Sequence, residues 1–170
     1  MTTGNGILIQ PLSGSMRFLL SNTISADNGV GISFYPPTDN ANANANAFID
    51  HAMTTNNLYG ILIITNYGTV GVTISNSTAS NNSNTGMYFF GTFAALTATV
   101  DSSYASNNST GIYGDGTANI LLGRSFVTSN NTGISNVTSP NTFYSYGDNS
   151  INKNGTDVAG TALNTSFTLR

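Results

Sequence analysis

An asparagine that returns every 23 to 29 residues constrains this chain more than any other feature. Aligned on Asn28, Asn57, Asn82, Asn108, Asn131 and Asn154, the local texts read ADNGVGI, TNNLYGI, SNNSNTGM, SNNSTGI, SNNTGI and NKNGTDV. Apolar columns fall into line with it. Eight residues before each asparagine stand Leu20, Ile49, Ile74, Val100, Gly123 and Tyr146, and ten before stand Phe18, Ala47, Val72, Ala98, Leu121 and Tyr144. A separation of two puts both columns on one face of a strand. After the asparagine, Ile32 and Phe34, Ile61 and Ile63, Met87 and Phe89, then Ile112 and Ile134 mark a second inward-facing strand. A shorter segment carrying Ile24, Met53, Thr78, Tyr104 and Val127 lies between the two.

Several short strands in coils of 22 to 29 residues predict a β-solenoid. Coils stacked at the inter-strand spacing of about 4.8 Å place like residues over like. Asparagine columns then become hydrogen-bonded side-chain ladders, as they do in cross-β assemblies. The predicted ladder runs through Asn28, Asn57, Asn82, Asn108, Asn131 and Asn154, with Asn22 and Asn76 stacked at a separate turn. The expected fold is all-β: one right-handed, single-stranded parallel β-helix domain over residues 1–170, with about six coils, entered and left mid-coil. Leucine-rich repeats have a similar length, but their fixed leucine spacing is missing. Pro11, Pro36, Pro37 and Pro140 all fall between coils, where no ladder donor is lost. The segment PPTDNANANANAF, residues 36–48, is expected to be a long inter-coil loop and a variable contact surface.

Composition fits this architecture. Hydrophobic residues make up 39% of the chain, enough for a core, while charged residues make up only 6%. There are 25 Asn, and no Glu, Cys or Trp. Disordered chains show the reverse balance, many charges and few β-branched or aromatic residues. A net charge of -3, with Arg17, Arg124, Lys153 and Arg170 as the cations, argues against a phosphate-tracking surface and so against nucleic acid. The longest apolar run, Leu58 to Ile64, is too short to span a bilayer, so no membrane insertion is expected. No basic stretch followed by an apolar run marks a signal peptide. A mature or excised form of an extracellular or surface protein is the expectation.

The SNNxTGI turns and the segment YSYGDNSINKNGTDVAG, residues 144–160, resemble right-handed parallel β-helix proteins of the pectate-lyase-like class. The resemblance is closest to bacterial β-helix repeat proteins of unassigned function and covers residues 5–160. It implies a fold rather than an activity, because many functions share this scaffold. A pectate lyase would need an Asp cluster for calcium and a basic residue to take a proton. A polygalacturonase would need paired Asp on adjacent coils, a His-Gly and an Arg-x-Lys. The sequence holds no Asp-Asp, no His-Gly and no calcium-binding Gly-Gly-x-Gly-x-Asp run, so no metal or cofactor is expected.

The weak candidates for catalysis are Asp50, His51, Asp101 and Arg124. His51, the sole histidine, falls in a turn column with Asn22, Asn76, Ser102, Ser125 and Asp148, where small polar groups suit a ladder better than a base. Asp50 and Asp101 share a column two coils apart, about 10 Å by strand spacing, which is wide for a retaining pair of carboxylates. Arg124 falls one coil beyond Asp101, so a surface ion pair is the economical expectation. Tyr59, Tyr67, Tyr88 and Tyr113 near the second strand are candidates for stacking on sugars.

The termini suggest assembly. GILI at residues 6–9 matches GILI at 60–63, the second half of a coil, and LNTSFTLR alternates Leu163, Phe167 and Leu169 as a first strand would. Two unfinished coils would expose strand edges. They are expected either to stack head to tail on a second copy, through residues 1–10 and 163–170, or to mark a piece of a longer solenoid. The expected role is a non-catalytic structural or interaction solenoid. The alternative is a module that binds or cleaves polysaccharide, acting as a lyase or glycoside hydrolase beside the 36–48 segment.

Overall fold

The computed structural model describes residues 4–36, 43–137 and 142–165. Every regular element among them is a β-strand. A first strand, β1 (Asn5–Ile9), precedes the full coils. The first coil holds β2 (Gly14–Ser21), β3 (Ile24–Ala26) and β4 (Val30–Phe34), and the second β5 (Ala43–Asp50), β6 (Met53–Thr55) and β7 (Tyr59–Thr65). Next come β8 (Thr69–Ser75), β9 (Thr78–Ser80) and β10 (Thr85–Asp101), which runs on into the fourth coil with β11 (Tyr104–Ser106). In the same way β12 (Thr110–Gly123) joins the fourth coil to the fifth, followed by β13 (Phe126–Thr128) and β14 (Thr132–Asn136). The sixth coil holds β15 (Thr142–Ser145), β16 (Ser150–Asn152) and β17 (Thr156–Gly160).

All pairings are parallel and link one coil to the next, so the chain is a parallel β-solenoid of about six turns. Three faces result. Face 1 stacks β2, β5, β8, the second halves of β10 and β12, and β15. Face 2 is the six-stranded sheet β3-β6-β9-β11-β13-β16. Face 3 stacks β1, β4, β7, the first halves of β10 and β12, β14 and β17.

The core fills by columns. Ile32, Ile61, Met87, Ile112 and Ile134 line face 3 at no more than 1% exposure, and Phe34, Ile63 and Phe89 lie beside them. Ile49, Ile74, Val100 and Leu122 face them from face 1. Each such side chain contributes roughly 2 to 3 kcal/mol by leaving water. Face 2 turns small residues inward, Ser25, Thr54, Ala79 and Ala105, then Val127. Its outward members are Ile24, Met53, Thr78, Tyr104 and Phe126; Val127, expected in that column, points into the core instead.

Two corners flank each face 2 strand, and both use left-handed backbone. At the first, Asn22, His51, Asn76, Ser102 and Arg124 have φ between 46° and 52°. At the second, Asp27, Asn56, Asn81, Asn107, Ser129 and Lys153 have φ between 56° and 62°. This region disfavours most L-residues but is enriched in Asn, Asp and His. Asn22, Asn56, Asn76, Asn81 and Asn107 therefore have a backbone cause.

The structure corrects the expected loop. Residues 43–48 belong to β5, which pairs along its whole length with β2. Ala45 and Ala47 point into the core while Asn44 and Asn46 face solvent, so the low-complexity run alternates as a half-buried strand must. Residues 37–42 of that segment lie outside the described residues. Pro11 and Pro36 sit outside the strands, as expected; Pro37 and Pro140 are not among the described residues.

Candidate functional site

The ladder is built by one asparagine per coil, just after the second corner. The backbone N–H of Asn28 donates to Asn57 Oδ1 at 2.9 Å, Asn57 to Asn82 at 3.1 Å and Asn82 to Asn108 at 2.9 Å. Asn108 donates to Asn130 at 2.9 Å, and Asn130 to Asn154 at 3.0 Å. From Asn57 to Asn130 each Nδ2 reaches the same oxygen of the following coil and a carbonyl of the preceding one, as Asn108 does to Asn130 and to Ala79, both at 3.0 Å. The fifth rung is Asn130, which corrects Asn131. The physical reason is the distance to the glycine that follows. The glycine stands three positions beyond the rung at Asn28, Asn57, Asn108 and Asn130, whereas in the third coil Gly86 stands four beyond Asn82. The face 1 columns carry the same one-residue correction and continue through Leu122 and Ser145, and through Ile120 and Phe143, rather than through Gly123 and Tyr146, and Leu121 and Tyr144.

A second ladder escaped the sequence reading. The backbone N–H of Ala52 donates to Ser77 Oγ at 3.1 Å, Ser77 to Ser103 at 3.1 Å, Ser103 to Ser125 at 3.2 Å and Ser125 to Asn149 Oδ1 at 2.9 Å. Each member lies five residues before its ladder asparagine, a regularity that appears once the fifth rung is Asn130.

The first corner gathers the candidate catalytic residues. Ser75 Oγ and Asn76 Nδ2 both donate to Asp50 Oδ1, at 2.8 and 2.9 Å, and His51 Nδ1 lies 2.8 Å from Asp50 Oδ2. Hydrogen bonds from Asn76, then from His51 and Ser75, hold the Asp50 carboxyl down from 3.8 to about 2. Ser, His and Asp thus meet at one place, yet both Ser75 and His51 converge on the carboxylate. A nucleophilic triad needs the serine to donate to the imidazole, with the carboxylate on its far side. One coil past Ser75, Asp101 pairs with Arg124, whose Nε also donates to Ser102 Oγ at 3.2 Å. The ion pair is the expected one, but Gly123, not Arg124, follows Asp101 in the strand column. Arg124 sits at the corner in place of Ser125, takes Asp148 Oδ1 as acceptor for its backbone N–H at 3.0 Å, and reaches back to Asp101. Asn22 occupies the same corner, its Nδ2 donating to Ser21 Oγ at 3.0 Å.

The tyrosines divide. Tyr88 lies between Tyr59 and Tyr113, with ring centroids 6.1 and 4.8 Å away, so the middle ring has no face left for a sugar. Tyr88 donates to Asp115 Oδ2 at 3.2 Å, and burial, then that carboxylate's charge, pushes its hydroxyl well above the usual range. Tyr67 stacks on Phe93 at 5.7 Å. On the outer side of face 1, Asn46, Phe48, Gly71, Thr73, Thr97 and Thr99 line a shallow groove, with Phe48 rising 45% exposed beside the threonines. No group of three or more His, Cys, Asp or Glu able to hold a metal occurs among the described residues.

The fold and this polar corner define the class: an all-β parallel solenoid whose coils are joined by neutral side-chain ladders. The chain matches no protein-family model, and comparisons with curated proteins and with solved structures likewise find no match.

Proposed function

We propose that this chain is a non-catalytic structural or interaction solenoid, working outside the cell or on its surface. The observation that carries this is the use made of its polar side chains. Asparagine, serine and the Asp50 carboxylate are engaged in coil-to-coil bonds, an arrangement that builds a rigid rod. Kinship with bacterial β-helix proteins of the pectate-lyase-like class belongs to the same proposal and is supported by the SNNxTGI turns. The partners proposed are further copies meeting head to tail through residues 1–10 and 163–170, or neighbouring coils of a longer solenoid. Among the described residues, β1, β2 and β3 are paired on one side only, which leaves strand edges for such a contact. Leu163 packs on the core and Asn164 bridges Tyr144, while residues 1–3 and 166–170 lie outside the described residues.

Polysaccharide binding is the second reading, favoured by Phe48 standing over the threonine-lined groove. One pair of measurements separates the two. Sedimentation over a wide concentration range should reveal reversible, rod-like association, and a glycan array should stay silent. A monomer at every concentration would remove self-association. Glycan binding that disappears in Phe48→Ala would move the function to the groove.

A further inference from the structure

Beside the asparagine ladder runs a column of glycines: Gly6, Gly31, Gly60, Gly86, Gly111 and Gly133. A Cβ added at any of them would lie 2.5–2.8 Å from the backbone oxygen of the next coil's member and 2.7–2.9 Å from the next coil's ladder Nδ2. Real Cβ atoms do not approach backbone so closely, so every position over which a further coil stacks needs glycine. The seventh member is Asp157, whose oxygen is the one facing Gly133.

Asp157 also ends the ladder. Its Oδ1 accepts from the backbone N–H of Asn154 at 3.1 Å and from Asn154 Nδ2 at 2.9 Å. Those are the two bonds that each rung from Asn57 to Asn130 makes to the asparagine of the next coil, as Asn130 does to Asn154 at 3.0 and 2.9 Å. A side chain of the same coil thus stands where the next coil's asparagine would be.

We infer that Asp157 is a stop residue: its carboxylate completes the ladder from within, and its Cβ bars any coil, including one of a second copy, from stacking in register on β17. The inference rests on the proposal that copies meet through their ends, and it adds what limits that contact. A second copy that laid Asn5–Ile9 over β17 would bring the Gly6 oxygen against the Asp157 Cβ. Association between wild-type copies is therefore weak, and it is tightened by removing one side chain.

Three variants separate the two roles. Asp157→Asn keeps acceptor and Cβ, Asp157→Ala keeps only the Cβ, and Asp157→Gly restores the column. Amide hydrogen exchange at Asn154 should be unchanged in Asp157→Asn and about fivefold faster in Asp157→Ala, the loss of one net hydrogen bond. Sedimentation should find association about tenfold tighter or more in Asp157→Gly alone. Asp157→Ala associating as tightly as Asp157→Gly would overturn the steric stop, and so would wild type and Asp157→Gly associating equally. Unchanged Asn154 exchange in Asp157→Ala would overturn the cap. Wild type that stays monomeric while Asp157→Gly associates would keep this inference and remove only self-association of the natural chain.

Discussion

Asn130 and Asn131 are neighbours of the same chemistry with opposite surroundings. Asn130 is 4% exposed, accepts both donors of Asn108 and donates to Asn154, Ala105 and Thr128. Asn131 lies at the surface, where its backbone N–H donates to Asn108 and its carbonyl accepts from Thr156. Removing the Asn130 amide leaves the Asn108 backbone N–H and one of its Nδ2 hydrogens without an acceptor in a dry corner, where each orphaned group costs about 1 to 3 kcal/mol. Asn130→Ala should therefore destabilise by about 3 kcal/mol, and Asn131→Ala by less than about 0.5 kcal/mol. Urea unfolding of the two variants measures this directly. Equal losses would mean that the rung is shared or misplaced. The pair also marks the limit of reading residues singly: both belong to the text SNN, and only the distance to Gly133 tells which one turns inward.

At the scale of strands, period two in the sequence was a reliable guide wherever bulky residues marked it. Ile32 with Phe34 and Ile61 with Ile63 face the core as their spacing requires. It failed for β5, because alanine and asparagine are both depleted in strands and asparagine favours turns, so the run resembles a loop by composition. It also failed on face 2, where three-residue strands are too short for a period to emerge, so spacing alone does not separate the inward Val127 from the outward Phe126. The first corner was legible only as a column of polar residues. That Ser75, Asn76 and His51 all point at Asp50 depends on side-chain geometry that spacing does not carry. This cluster ties the end of β5 to the end of β8 and makes their contact sensitive to pH. Asp50 has a folded-state pKa of about 2 against 3.8 for the ordinary group, so its carboxylate binds protons less readily when folded. The stabilisation is complete above about pH 4 and is lost as pH falls toward about 2. Asp50→Asn should flatten the dependence of the urea midpoint on pH across that window while leaving other slopes unchanged. An identical slope in wild type and variant would show that the three hydrogen bonds do not distinguish the ionised form.

For the whole molecule, what matters is that the repeating bonds are neutral. Charged residues are 6% of the chain, and among the described residues Arg124 pairs with Asp101 and His51 hydrogen-bonds Asp50, both at one exposed corner. Exposed pairs contribute about 0 to 1 kcal/mol and are screened by salt. The coils instead hold together through buried columns of Ile, Val, Leu and Phe and through asparagine and serine ladders, neither of which carries net charge. Each coil meets only its neighbours, so these terms recur along the axis rather than converging on a single centre. The unfolding free energy should accordingly change by less than about 0.5 kcal/mol between about 0.05 and about 1 M sodium chloride. Sodium sulfate, which strengthens apolar burial by its exclusion from protein surface, should raise it clearly. Urea midpoints in the two salts give the comparison. A sodium chloride effect as large as that of sulfate would place the stabilisation in the charged corner rather than in the ladders. The stacking contact at β17 should show the same indifference to sodium chloride once Asp157 is replaced by glycine, because backbone N–H and C=O groups, which carry no net charge, would join Asn5–Ile9 to β17.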